Sequence, residues 1–396
     1  MLPYRLGIVG VGDISHAYID NLKLYPDIVT LAGCATRHYE KACEKAEEYG
    51  IEKAYETAEE MIKSPDIDVV LNLTIPEFHA YYNKMALENG KHVYCEKPLA
   101  TTFEEGKELV LLAKQRGLLL GCAPDTFLGS RVQKMRELVE AGTIGEITAA
   151  SAFITCRGHE TFKEDPDFYY REGAGPVMDI GPYYYRALSA LLGPVKKCAA
   201  MTKRTYPERE LLIGPRKGQK IPVEVDTHAT VLLEYECGAI VTLILSFDTV
   251  ETLLPRLELY GTKGTLSMAD PDPYDGPNLF GGEILLRTME NTRWFSLPRP
   301  EEETSRQAIV VENDRPFTST THAYNSRGIG LIDLLMALEE GRPVRASGEM
   351  ALHELELMEK IFEASQTGVT QTFETSFEIP ALLGRGELVP SEEKIK

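Results

Sequence analysis

Near its N-terminus the chain runs Leu6-Gly7-Ile8-Val9-Gly10-Val11-Gly12-Asp13-Ile14-Ser15, the pattern of a strand that turns through glycines into a helix. An apolar run opens directly into a glycine turn, and a helix-like segment follows as far as Pro26. That order presents unpaired backbone N–H groups and the positive end of a helix dipole to the pyrophosphate of a dinucleotide. Gly10 suits the tight turn, Gly12 lets the backbone approach the phosphates, and Asp13 and Ile14 lie in the same turn. Ser15 stands where a third Gly or Ala would allow close packing of helix on strand, so the fingerprint is good but imperfect.

Working outward, short apolar runs at 6–9, 28–35, 69–73, 92–95 and 118–122 alternate with amphipathic helical stretches. This alternation predicts a doubly wound α/β domain, a Rossmann-type parallel sheet with helices on both faces, over residues 1–124. Thr57-x-x-Glu60 and Thr102-x-x-Glu105 read as capping boxes, and Gly50, Gly90 and Gly117 as helix stops. A further helix is expected at 130–141, after which the pattern changes. Alternating runs at 229–234 and 240–247 flank Glu236-Cys237-Gly238, and runs at 257–260 and 265–268 flank Gly261-Thr262-Lys263-Gly264. Both read as antiparallel hairpins, so an α+β domain with an open, mostly antiparallel sheet is expected over 125–396. Two late helices, about 328–340 and 349–364, are expected to pack back across it, and 270–282 reads as an exposed loop.

Ligands of open α/β sheets bind beyond the carboxyl ends of the strands, and three such ends carry candidate residues. The second run ends in Thr36-Arg37 with no acid until Glu40; a hydroxyl followed by a guanidinium suits a 2′-phosphate, which favours NADP over NAD. Arg37 reads equally as a solvated loop residue. The third run leads into Thr74-Ile75-Pro76-Glu77-Phe78-His79, where Thr74 and Pro76 would border the cofactor and His79 would be a packing or cofactor-edge residue. The fourth leads into Glu96-Lys97-Pro98; alone it reads as a solvated turn, but in a cofactor-lined cleft Lys97 becomes a site lysine that Glu96 could orient.

Taken in order and spacing, the glycine fingerprint, the Thr74–His79 segment and the Glu96-Lys97-Pro98 turn, followed by the antiparallel-sheet domain, resemble the glucose-fructose oxidoreductase, inositol dehydrogenase and rhizopine-catabolism (Gfo/Idh/MocA) family of NAD(P)-dependent sugar oxidoreductases. The likeness continues through Ala123-Pro124-Asp125-Thr126-Phe127, Gly175-Pro176-Val177-Met178-Asp179-Ile180-Gly181-Pro182-Tyr183-Tyr184 and Pro255-Arg256-Leu257-Glu258-Leu259-Tyr260-Gly261. The resemblance implies a cleft in which nicotinamide lies between the two domains and Lys97, Asp179 and Tyr183 face the substrate. Many members carry His at the last position; Tyr stands there here, as in the glucose-fructose oxidoreductase branch.

Oxidation of a sugar hydroxyl needs an acid/base group within hydrogen-bond reach of the oxygen that loses its proton. A phenol, with a reference pKa of about 10, serves near neutrality when a cation stabilises the phenolate. Tyr183 is therefore assigned the proton transfer, Lys97 the hydroxyl contact and pKa adjustment, and Asp179 substrate orientation, with Tyr184 as fallback. Their spacing puts Asp179 and Tyr183 on one face if the segment is helical, although Gly181-Pro182 disturbs that geometry. The bland alternative is a capping Asp179 and a packed tyrosine stripe. Upstream, Arg157, His159, Phe168, Tyr169 and Tyr170 are expected to form a substrate wall, aromatic faces meeting sugar C–H groups and Arg or His bonding hydroxyls; Tyr169 and Tyr170 read equally as core.

A net charge of −19 argues against nucleic-acid or anionic-membrane partners. Seven scattered cysteines without a Cys-x-x-Cys pair read as reduced thiols of a cytoplasmic protein, and the histidines lack metal-site spacing, so no metal is expected. The leading function is NAD(P)-dependent hydride transfer to or from a hydroxyl or keto carbon of a sugar, polyol or glycoside. Two alternatives stand beside it: an NAD-dependent glycosidase working through transient 3-keto oxidation and elimination, which would release an aglycone without accumulating reduced cofactor, and a ligand sensor, which would need no proton-transfer residues. The resemblance further implies a homodimer or homotetramer.

Overall fold

The computed structural model describes residues 2–269, 279–291, 307–320 and 325–390. Its first elements are β1 (Tyr4–Val9), α1 (Ser15–Leu22), β2 (Val29–Ala35), α2 (Tyr39–Tyr49), α3 (Ala58–Lys63), β3 (Val69–Asn72), α4 (His79–Glu88), β4 (His92–Cys95), α5 (Phe103–Arg116) and β5 (Leu120–Cys122). The strands form a parallel sheet in the order β2-β1-β3-β4-β5. Beyond β2, a one-residue parallel bridge from Cys34 to Ala54 stands where a doubly wound dinucleotide fold carries a further strand. Strands such as β3 are buried along their whole length, as a sheet covered on both faces requires.

The helix punctuation follows the sequence. Thr102 and Glu105 make a complete capping box on α5, Thr57 accepts the Glu60 N–H on α3, and Gly50 and Gly117 close α2 and α5 in the left-handed region.

There follow α6 (Ser130–Glu140), β6 (Ile147–Thr155), α7 (Gly175–Asp179), α8 (Gly181–Leu192), β7 (Val195–Lys203), β8 (Glu208–Glu210), β9 (Lys220–Pro222), β10 (His228–Tyr235), β11 (Ile240–Ser246), β12 (Leu257–Gly261), β13 (Gly264–Met268), β14 (Leu285–Thr288), β15 (Ile309–Val310), α9 (Ile329–Glu340), α10 (Gly348–Thr367) and β16 (Gln371–Thr372). Among the described residues the second sheet has nine strands in the order β15-β14-β13-β12-β6-β11-β10-β7-β16, antiparallel except where β6 runs beside β11. Both expected hairpins are present, and Gly238 takes φ +90° in the turn of the first. Alternation along β10 buries Ala229, Val231 and Leu233 beneath α7 and leaves Leu232 exposed.

Two compact units are formed, one by Met1–Leu128, Ala323–Glu356 and Thr375–Lys396, the other by Gly129–His322 and Leu357–Glu374. This division corrects one expectation. α9 does not cover the second sheet; it packs in the first unit against α1 and β5, and the first turns of α10 bring Leu352 and Leu355 against Gly106 of α5. The periodicity of α9 required a buried face but could not say which core supplied it.

The loop expectation for 270–282 is corrected in part. Residues 270–278 lie outside the described set, but Leu279 and Phe280 are fully buried, and the Phe280 carbonyl accepts the Arg131 N–H at 3.0 Å. Among the described residues no helix is long and apolar enough to cross a membrane. All seven cysteines are free.

Candidate active site

Register builds the first half of the site. Val9 pairs with both Ala35 and Asn72, Asn72 with Cys95, and Cys95 with Cys122. The segments that leave these strand ends, Gly10–Ser15, Thr36-Arg37, Thr74–His79 and Glu96-Lys97, therefore emerge side by side along one sheet edge. The sheet order reverses between β1 and β3, and ligands bind at such a switch point.

The glycine turn is tight where it meets β3 and open where a ligand would lie. Gly10 has φ +89°, and a Cβ there would come within 2.9 Å of the Leu73 carbonyl. At Gly12 a Cβ would meet nothing within 4 Å, so the backbone of the turn is bare. Ser15 takes the third glycine position without blocking it, because its side chain is buried and its hydroxyl donates back to the Gly12 carbonyl at 2.7 Å. Asp13 and Arg37 are exposed, and Ile14, Thr36, Thr74 and Pro76 are half-buried around the turn. These residues fit a dinucleotide.

The loop after β3 is shaped by Asn72, which the sequence reading missed. Its carboxamide oxygen accepts from the Thr74 N–H and hydroxyl at 3.1 and 2.7 Å, and its nitrogen donates to the His79 carbonyl and to Asn83. A polar residue inside the apolar run at 69–73 was the available signal. His79 is 0 % exposed, and its ring nitrogens lie on the carbonyls of Pro98 and Thr74 at 2.5 and 2.9 Å. This corrects the cofactor-contact expectation for His79. It joins the loop after β3 to the loop after β4 and has no surface to offer a ligand; burial lowers its pKa.

Glu96 is likewise turned inward. Its carboxylate accepts from the Tyr18 hydroxyl at 2.7 Å, from Arg327 at 3.3 Å and from the Lys97 backbone N–H at 2.9 Å. The charge is buried and answered by a buried guanidinium, and the arrangement fixes the peptide that carries Lys97, itself half-buried. Arg327 reaches it from 231 residues away along the chain.

Nearby in the same unit, the Asp125 carboxylate accepts the N–H groups of Gly328 and Gly330 at 2.8 and 3.1 Å, capping α9. Burial pushes its pKa up to about 6 despite those bonds and the Arg327 charge. The folded protein thus keeps a proton there that the unfolded chain gives up near pH 4, so this residue's contribution to stability falls as pH rises through that window. Asp125→Asn should therefore gain on the wild type by about 3 kcal/mol in urea unfolding between about pH 4 and pH 7. A difference between the two proteins that stays flat with pH would contradict the assignment.

The second unit carries the other candidates. Asp179 ends α7 and Tyr183 lies buried in the first turn of α8, with Ile180 between the helices. The expected single helical face is corrected: Pro182 lacks the N–H that would continue the hydrogen-bond ladder to Met178. The N-cap position of α8 is Ile180. Tyr184 and Tyr185 are packed, Tyr185 donating to the Val177 carbonyl at 3.1 Å.

In the wall segment, His159 stacks on Tyr169 with ring centroids 3.7 Å apart, and its Nε2 lies 3.5 Å from Asp179 Oδ2. Arg157 and Phe168 are exposed. Tyr170 belongs to the core rather than to the wall. Its hydroxyl donates to Glu160, which with Asp248 holds the buried Arg209. Sequence reasoning missed Arg209 altogether. Among the described residues no group of His, Cys, Asp and Glu could hold a metal ion.

Residues 4–123 match the oxidoreductase family with an NAD-binding Rossmann fold, and residues 132–267 match the GFO/IDH/MocA C-terminal domain. Myo-inositol 2-dehydrogenase of Thermotoga maritima is 26% identical over 262 residues, 66% of this chain and 74% of the relative. Trans-1,2-dihydrobenzene-1,2-diol dehydrogenase of Bos taurus is 29% identical over 272 residues, 68% of this chain and 75% of the relative. Levoglucosan dehydrogenase, solved with NADH and L-sorbose, shares the fold with a TM-score of 0.77 at 21% identity, covering 95% of this chain and 100% of that one.

Proposed function

Because this chain belongs to the GFO/IDH/MocA family of oxidoreductases, we propose that it moves a hydride between a nicotinamide dinucleotide and a hydroxyl-bearing carbon of a sugar, polyol or related diol. The observation that carries the reading is the alignment, along one sheet edge, of a bare glycine turn with a lysine whose peptide is pinned by a buried carboxylate. The named relatives act on polyols and diols, which supports the substrate class.

The glycine turn at Gly10, Gly12, Asp13 and Ile14 would hold the pyrophosphate, and Thr74 and Pro76 would border the dinucleotide. When bound, the dinucleotide supplies the hydride acceptor or donor. Lys97 Nζ contacts the reacting hydroxyl and favours its deprotonated partner. On oxidation the Tyr183 phenolate oxygen takes the proton of the reacting hydroxyl, and on reduction the Tyr183 hydroxyl gives it back, while Asp179 orients the substrate, with Arg157 and Tyr169 contributing to its wall.

Thr36 and exposed Arg37 support NADP, since a guanidinium pairs bidentately with a 2′-phosphate. Titration of both cofactors against the wild type and Arg37→Asp tests this. The wild type should favour NADP, and the variant should lose that preference by at least about tenfold through loss of one charged bidentate contact. Equal affinity of the wild type for NAD and NADP would remove Arg37 from cofactor selection.

A further inference from the structure

We propose that His159 is a positioning residue: its Nε2–H holds the Asp179 carboxylate, and its ring does not itself bind the substrate. The inference deepens the proposed function and rests on it. Asp179 stands at the last position of a five-residue helix, two residues before α8 begins at Gly181. The ring that faces it is fixed strongly. His159 is buried, stacked on Tyr169 at 3.7 Å and 11°, and met edge-on by Phe247 at 4.6 Å and 74°.

Each part of this clamp is the chain neighbour of a member of the Arg209 network. Glu160 follows His159, Tyr170 follows Tyr169 and Asp248 follows Phe247. Arg209 donates to Glu160 at 3.0 Å and pairs with Asp248, whose other oxygen accepts from Thr227 at 2.7 Å. The Tyr170 hydroxyl donates to Glu160 and accepts the His159 backbone N–H at 3.1 Å. The network thus anchors the backbone of His159, and swinging its imidazole toward a substrate would give up the stack on Tyr169 and the edge contact with Phe247. Glu160 is turned to Tyr170 and Arg209, leaving Asp179 as the carboxylate opposite Nε2. A neutral imidazole donates from one nitrogen only, and a carboxylate opposite Nε2 selects the Nε2–H tautomer.

Three variants separate the donor from the ring. A Gln carboxamide places its nitrogen near the position of Nε2, Asn reaches only as far as Nδ1, and Phe keeps the stack without a donor. His159→Phe and His159→Asn should each lower kcat at least about tenfold with cofactor affinity unchanged, and His159→Gln should recover to within about threefold of the wild type. An Asn variant as active as the Gln variant, or a Phe variant as active as the wild type, would overturn the proposal.

A readout independent of turnover is 15N NMR of imidazole-labelled full-length protein without substrate. His159 should be the Nε2–H tautomer, and its ring signals should move on Asp179→Asn. A Nδ1–H tautomer, or signals indifferent to that substitution, would also overturn it. If the wild type oxidises no carbohydrate, the proposed function fails and the NMR result still decides the position of His159.

Discussion

Replacing Lys97 with Met should lower kcat at least about a thousandfold while leaving cofactor affinity within about threefold of the wild type, the pattern of a group needed in the transition state but not for ground-state binding. Methionine preserves length and apolar bulk, so packing around the half-buried stem is retained. The peptide itself is held by Glu96, which accepts the backbone N–H of residue 97, a bond that the substitution leaves available. Steady-state kinetics with the best substrate, beside a fluorescence titration of reduced cofactor, reads both quantities. Turnover near that of the wild type would remove the lysine from the mechanism, and joint loss of turnover and cofactor affinity would make it a cofactor ligand instead.

The second large effect concerns stability. Arg209→Leu should destabilise the second unit by about 3–5 kcal/mol, the range for removing one partner from a buried ionic cluster. The loss strands Glu160 and Asp248, both nearly sealed from solvent, with no guanidinium between them. It also frees the carbonyls of Arg157 and Phe247, each of which accepts from Arg209 at 3.2 Å. Urea unfolding monitored by far-UV circular dichroism measures the change. A loss below about 1 kcal/mol, the scale of an exposed pair, would mean that the cluster is not the scaffold of the His159 segment.

Arg209, and Glu96 beneath Lys97, have partners distant in sequence, and that distance governs what the sequence can reveal. The strands, the Thr102 capping box, the Thr57 cap and the hairpins were legible because their determinants are local: apolar period, a hydroxyl three residues before a glutamate, a glycine in a turn. Gly10 and Gly12 announced the cofactor edge for the same reason. Arg327 could not be tied to Glu96 across 231 residues, nor Arg209 to Glu160 across 49, because neither position carries a local signature. His79 was misread as a cofactor contact since a histidine in a first helical turn looks identical whether it faces outward or inward. Gly181-Pro182 signalled locally that Asp179 and Tyr183 need not share one unbroken helix, and the structure ends α7 at Asp179 and starts α8 at Gly181.

The account rests on the claim that this chain exchanges a hydride between nicotinamide and a carbinol carbon. Its most direct test is the absorbance of reduced nicotinamide when purified full-length protein is mixed with NADP or NAD and a panel of aldoses, polyols, glycosides and cyclic diols. The account predicts cofactor reduction with at least one of these compounds, abolished by Lys97→Met. Failure to bind either dinucleotide, together with unchanged absorbance across the panel, would contradict it.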